Sequence, residues 1–287
     1  MKRNIYLKTI PPAEAVARVK ASIDREALIR EETIPSHEAS GRVLAHAVHA
    51  RYSSPTFHSA AMDGYAVNAR STFAAREGHP LTLKAGETCF AVNTGHPMPE
   101  GCDAVIMIEQ VMLDGGSVTI EAPAFPWQHV RRIGEDIVAT ELLFPRNHQL
   151  RPWDVGALLS GGIWDVPVWE RVTVRIIPTG DEVLDFTTHP DPGKGQVVES
   201  NSQMLAALAR ELGCVVERAA PVPDNPEALH QALKDSLDAG RHLTIFCAGS
   251  SAGSKDFTRA TLEKEGEILT HGIAAMPGKP SLLANCR

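Results

Sequence analysis

Aromatic residues are scarce: Phe, Trp and Tyr together make up 5% of the 287 residues. A core of ordinary size must therefore be packed from Val, Leu, Ile and Ala. The hydrophobic share, 43%, is enough for such a core, and the charged share, 22%, is ordinary for a soluble globular chain. Cysteine is sparse as well. Cys89, Cys102, Cys214, Cys247 and Cys286 are odd in number, far apart and free of any CxxC pair. That pattern excludes a zinc cage and a disulfide framework, and it predicts a reduced, cytoplasmic protein with inert thiols. No apolar run approaches the roughly 18 residues of a membrane-spanning helix. The basic start, Met1–Lys8, is not followed by a signal core. An excess of positive charge is missing too. A net charge of -7 argues against a general nucleic-acid or membrane surface, so neither partner is expected. An anionic ligand would need a local site. The 12 histidines include no HxH or HExxH spacing and read as surface or core residues.

What is present changes character along the chain. Pro11 and Pro12 suit a helix start, and Val16, Val19, Ile23 and Ala27 recur at helical spacing, which predicts a helix over 11–30. Residues 31–145 carry short β-like runs, among them Ala104–Ile108 and Ser117–Ile120, with Asp114-Gly115-Gly116 between them as a hairpin signal. From 172 onward strands and helices alternate. Strands are expected at Val172–Ile177, Val215–Ala219, His242–Cys247 and Glu267–His271. Helices are expected at 202–212, from Pro226 to Ala239 behind an Asn225 cap, and at 256–265. That alternation predicts a parallel α/β unit. A last apolar run, Leu282–Ala284, reads as a further strand entered without its partner helix.

Ligands of parallel α/β sheets bind outside the carboxyl ends of the strands. Two loops are expected there: Pro178-Thr179-Gly180-Asp181-Glu182 and Gly249-Ser250-Ser251-Ala252-Gly253-Ser254-Lys255-Asp256. Gly and Ser let backbone N–H groups approach an anion, and a helix start adds its positive dipole end. Either loop alone is an ordinary turn; the two together suggest a phosphate cradle. The second loop departs from the P-loop spacing. It fits Gly-x-Ser-x-Gly at Ser251, which leaves a serine hydrolase as a weak alternative, with only Asp256 and His271 in order to complete a triad. Asp63 and Asp136 also sit in Gly-containing turns. With Glu182 and Asp256 they make four loop carboxylates, the donor type that Mg²⁺ takes alongside phosphates, although each alone could simply stabilise its turn.

At these positions the sequence resembles the MoeA family, the molybdopterin molybdenumtransferases, which include the E domain of gephyrin. Ser59–Val67 is similar to the family's SAMDGYA segment, and the run from Thr94 to Val105 to its TGAPxPEGxDAV segment. Arg132–Ile137 resembles RxGEDI, Pro178–Val183 PTGDEL, Ala248–Phe257 GGVSxGxxDY, and Pro277–Pro280 PGKP. Six motifs in order are specific where each alone is weak. The resemblance implies an α/β multi-domain fold. An elongated segmented domain would cover 1–52 and 146–171, an inserted β-rich domain 53–145, and a MogA-like molybdopterin-binding domain 172–287. It implies that this last domain is incomplete and that the family's C-terminal β domain is absent. It implies a cytoplasmic homodimer that, with Mg²⁺, inserts molybdenum from molybdate into adenylylated molybdopterin and releases AMP. Carried over by position, Asp63, Asp136, Glu182 and Asp256 are the catalytic candidates, with Glu182 and Asp256 as metal ligands. Thr179, Gly180, Asp181, Gly249, Ser250, Ser251, Gly253, Pro277, Gly278, Lys279 and Pro280 are the cofactor-binding candidates.

The chain departs from the family pattern in places. Ala248, Ser250 and Ala252 loosen the Gly-Gly-Val-Ser run, and Met276 stands where the family often has Lys or Arg. One cation for an oxyanion is thus missing, which is the main support for a second reading, a non-catalytic pterin-binding or scaffold homologue. The variants FHSAAMDG and GSSAGSKD resemble a branch of the family that can carry a binding-protein domain after the core.

Overall fold

The computed structural model describes residues 8–247 and 257–286. The chain divides into two units, Thr33–Val168 and the combination of Met1–Glu32 with Trp169–Arg287. Helix α1, Pro12–Ser22, opens on a proline, whose fixed φ and missing N–H suit a first turn. It stops well short of residue 30. Ile23 is extended, and Asp24 starts a new turn over Arg25–Leu28 by accepting the Ala27 N–H at 3.3 Å. A short acidic side chain that bonds nearby backbone competes with helix continuation, and the apolar spacing does not report that competition.

In Thr33–Val168 six short strands form the β-rich part: β1 Gly64–Val67, β2 Leu81–Lys84, β3 Cys89–Val92, β4 Ala104–Met107, β5 Val111–Asp114 and β6 Ser117–Ile120. Two antiparallel sheets result, in the orders β3-β1-β4 and β2-β6-β5. The Gly115-Gly116 turn joins β5 to β6, both glycines at positive φ as a tight hairpin demands. The strand before that turn is β5; a 3-10 turn at Ile108–Gln110 separates it from the Ala104 run named above. Val67, Cys89, Ala104, Ile106, Val118 and Ile120 form the core, filled in by Ala69, Ala75 and Ala124 and with Tyr65 packed against it. A separate core, Ala39, Leu44, Val48, Leu150, Leu158, Val166 and Val168, uses chain on either side of this part, including helix α2, Pro152–Ser160.

The other unit runs β7 Thr173–Pro178, α3 Asn201–Glu211, β8 Val215–Arg218, α4 Pro226–Asp238, β9 Leu243–Cys247, α5 Phe257–Glu265, β10 Gly266–His271 and β11 Leu282–Cys286. The sheet β8-β7-β9 is parallel throughout. Ala206 and Leu205 of α3 pack on Val174 and Ile176 of β7. Asn225 caps α4, accepting the Ala228 N–H at 2.7 Å. The last two strands differ from the expectation: β10 pairs with β11 antiparallel, apart from the parallel sheet. The segment between them is too short for a crossover helix, so the chain can only double back. Helix α1 lies on this strand pair, with Arg18 Nη1 donating to the Leu269 carbonyl at 2.8 Å and Asn285 Nδ2 to the Ser22 carbonyl at 2.8 Å. Among the described residues no helix is long and apolar enough to cross a membrane.

Candidate functional site

Asp63 ends the loop that enters β1. Gly64 must follow it, because a Cβ there would lie 2.0 Å from the Ile106 carbonyl oxygen of the neighbouring strand. The Asp63 carboxylate is exposed, and its Oδ1 accepts the Thr94 N–H at 2.7 Å and the Thr94 hydroxyl at 3.0 Å. The Thr94 N–H, the Thr94 hydroxyl and nearby His96 hold this carboxyl below the usual aspartate range, against a smaller opposing effect of burial. Asp136 lies in the third of three loops that meet here. Val130 and Arg131 pair antiparallel with Ala60 and Ser59. The Ala60 N–H donates to the His96 carbonyl and the Gly95 N–H to the Ala60 carbonyl. The loops bearing Asp63, Thr94 and Asp136 are therefore laced together by backbone. Arg131 Nη2 donates to both Asp136 oxygens, at 2.8 and 2.6 Å. The structure thus gathers two of the four acid candidates in one unit.

Glu182 stands in the other unit, two residues past Gly180 in the turn after β7, the central parallel strand. Gly180 has φ +135°, and a Cβ on it would come 2.8 Å from Val183 Cγ2 and 3.0 Å from Glu182 Oε2. Only glycine fits without moving the acid. The Glu182 backbone carbonyl accepts the Val197 N–H at 3.0 Å, while its exposed carboxylate has no hydrogen bond or ion pair among the described residues. Thr179 is fully buried, and its hydroxyl donates to the Cys247 carbonyl at 3.3 Å, which turns it into the sheet. Asp181 Oδ1 accepts the Asp224 N–H at 3.1 Å. Pro277, Gly278 and Lys279 are exposed and Pro280 half-buried, in the loop from β10 to β11. There Ser281 folds back on the Gly278 carbonyl, and the Lys279 carbonyl accepts the Ile273 N–H at 3.0 Å. Gly249, Ser250, Ser251, Gly253 and Asp256 lie outside the described residues, and with them the hydrolase reading and half of the metal pair. Among the described residues no group of three or more His, Cys, Asp or Glu could hold a metal ion.

The structure adds residues that the site reading passed over. Thr94 is 31 positions from Asp63, and nothing in its spacing announces the contact. Arg218 of β8 reaches both ends of the segment after Glu182. It meets Asp185 at 3.1 Å and the buried Glu199 at 3.5 Å, donates to Ser202 Oγ at 2.9 Å, and lies 4.6 Å over the Phe186 ring. Cys247, at the carboxyl end of β9, is pushed up to about 11 by burial and by the Glu199 charge, which keeps it a thiol.

Comparison with known proteins covers both units. The family described as "MoeA N-terminal region (domain I and II)" matches residues 10–162, and the one described as "Probable molybdopterin binding domain" matches 175–287. The chain is 31% identical to a molybdopterin molybdenumtransferase of Synechococcus elongatus, covering 88% of this chain and 67% of that protein. It is 33% identical to the enzyme of the same name from Haemophilus influenzae, over 87% and 64% of the two chains. The chain thus spans about two thirds of the length of these relatives. A solved structure of a molybdopterin biosynthesis MoeA protein from Pyrococcus horikoshii OT3 is similar at a TM-score of 0.77 and 28% identity, covering 96% of this chain and 72% of the other.

Proposed function

The chain belongs to the MoeA family, and from that premise we propose that it takes molybdopterin, in its adenylylated form, together with molybdate, and forms molybdenum cofactor with release of AMP. The observation that carries this reading is the Glu182 carboxylate, which has no hydrogen bond or ion pair among the described residues and lies at the carboxyl end of the central parallel strand. It sits beside a glycine that admits no side chain, at the edge where α/β sheets receive ligands. Mg²⁺ prefers oxygen ligands and commonly takes one or two carboxylates plus substrate phosphates. Glu182 fits that donor set, with Asp256 proposed as the second carboxylate, and the ion would supply charge neutralisation on phosphate oxygens. The chain's own parts do the rest. The Gly180 turn lets a ligand approach the backbone closely. Exposed Lys279, in the Pro277–Pro280 turn, offers a cation for an oxyanion, a role sharpened by Met276, which supplies none. Asp63 stays ionised on Thr94 and supplies fixed negative charge on its own loop.

The test is AMP release from adenylylated molybdopterin with and without molybdate and Mg²⁺. Release that depends on both supports the transfer; pterin binding without release supports the scaffold reading instead. Asp256→Asn refines it, since Asn retains helix-capping ability but not charge. The variant is expected to keep the wild-type melting temperature and lose AMP release, and wild-type turnover would reduce Asp256 to a cap. We infer a homodimer as the working form, which sedimentation at micromolar concentration checks.

A further inference from the structure

His58 precedes Asp63 by five residues and is half-buried. Its Nδ1 accepts the backbone N–H of Ile133 at 3.1 Å, and its carbonyl accepts the Met98 N–H at 2.9 Å. Its ring lies 4.8 Å from that of Trp127, tilted by 51°. One residue therefore touches all three segments that carry Asp63, Thr94 and Asp136. An N–H donor aimed at Nδ1 makes that nitrogen the acceptor and leaves Nε2 as the ring's donor. Ile133 lies inside the turn in which Arg132 N–H donates to Glu135 Oε2 at 2.9 Å and Arg131 grips Asp136. Holding the Ile133 amide holds that turn.

We propose that His58 is a positioning residue: its unprotonated Nδ1, by accepting the Ile133 N–H, fixes the loop of Asp136 against the loop of Asp63. Its importance for turnover rests on the function proposed above; the tie itself does not. A second imidazole is used in the same way nearby. His96 Nδ1 accepts the Asn93 N–H at 3.2 Å in the loop of Thr94, so backbone-bound imidazoles recur in this cluster of loops.

The position of the acceptor gives a sharp test. In Asn the carbonyl oxygen stands where Nδ1 stands in His, one bond beyond Cγ; in Gln it stands farther out, near Nε2. His58→Asn keeps the acceptor and His58→Gln misplaces it. Hydrogen exchange at the Ile133 amide reads the tie directly. Exchange in His58→Asn should match wild type, and in His58→Gln and His58→Ala it should be roughly three- to tenfold faster, the span of one net hydrogen bond. The same ranking is expected in kcat for AMP release, with Asn rescued and Gln not. Equal exchange in all three variants overturns the proposal, as does a wild-type ring that ¹⁵N NMR shows protonated on Nδ1 at neutral pH, a measurement that needs no variant to fold. If wild type releases no AMP while the exchange ranking holds, the proposed activity fails and the His58 tie stands.

Discussion

Asp154→Asn isolates the worth of one buried charge. Asp154 is 3% exposed at the third position of α2. Its Oδ2 accepts the Arg151 N–H at 2.9 Å, His148 Nε2 at 2.7 Å and Arg151 Nε at 3.2 Å, and its Oδ1 accepts Arg151 Nη2 at 3.2 Å. Burial pushes the carboxyl up, but the Arg151 guanidinium, the Arg151 N–H and the His148 ring outweigh it and hold the group at about 2, against an ordinary 3.8. At roughly 1.4 kcal/mol per tenfold change in proton affinity, that depression contributes about 2 kcal/mol of stability. The sign follows from the folded value lying below the unfolded one. The contribution is complete above the unfolded value and is lost as pH falls through the folded value of about 2. Asn keeps the shape and one acceptor but not the charge. Native-state hydrogen exchange of the α2 amides should show a cost of about 2 kcal/mol at pH 7 that shrinks to about half by pH 3. A cost independent of pH would mean that Asn acts through packing. No cost at pH 7 would mean that the exposed Arg151 contributes nothing to the carboxylate.

Three further outcomes are expected. Gly180→Ala forces a Cβ into Val183 and Glu182 at a φ that L residues avoid; it should cost about 1–3 kcal/mol and lower kcat for AMP release, checked by thermal unfolding and steady-state kinetics. Thr94→Ala removes the hydroxyl donor to Asp63; an NMR titration should then move the Asp63 midpoint upward from its depressed position toward 3.8. Gly64→Ala places a Cβ 2.0 Å from a neighbouring carbonyl oxygen that cannot rotate away; β1 should part from β4, seen as loss of amide protection at Val67 and Ala104 with a cost above about 2 kcal/mol.

Local chemistry made much of this fold legible. The Asn225-Pro226 helix start, the Gly115-Gly116 hairpin and the run of β7 each carry their cause within a few residues, and each stands where the pattern puts it. The apolar run at Leu282 was legible as a strand, but its direction depended on the length of the return path rather than on its composition. Helix α1 ends short of the span its apolar spacing predicts, because periodicity continues through Asp24 while the backbone does not. In the candidate site, Asp63 and Glu182 stood out because glycines frame them. Thr94, His58 and Arg218 did not, since each acts on a partner from 16 to 75 residues away and has an ordinary neighbourhood in sequence.

Geometry also separates acids that motifs treat alike. Asp136 spends both oxygens on Arg131, and Asp63 spends one oxygen on two Thr94 donors. Each carboxylate oxygen has two lone pairs, so neither group is saturated, but a cation sharing both Asp136 oxygens with Arg131 would weaken that pair, a loss in the balance of binding. Asp63 keeps Oδ2 available and can face a ligand without that loss. Asp136 has both oxygens on Arg131 while its side chain stays half-exposed. Glu182 surrenders nothing, because its carboxylate holds no such bond among the described residues. The described acids therefore differ in what a ligand would displace: the Arg131 pair at Asp136, nothing at Oδ2 of Asp63, and nothing at Glu182 among the described residues, the arrangement that suits the Mg²⁺ ligation proposed for it.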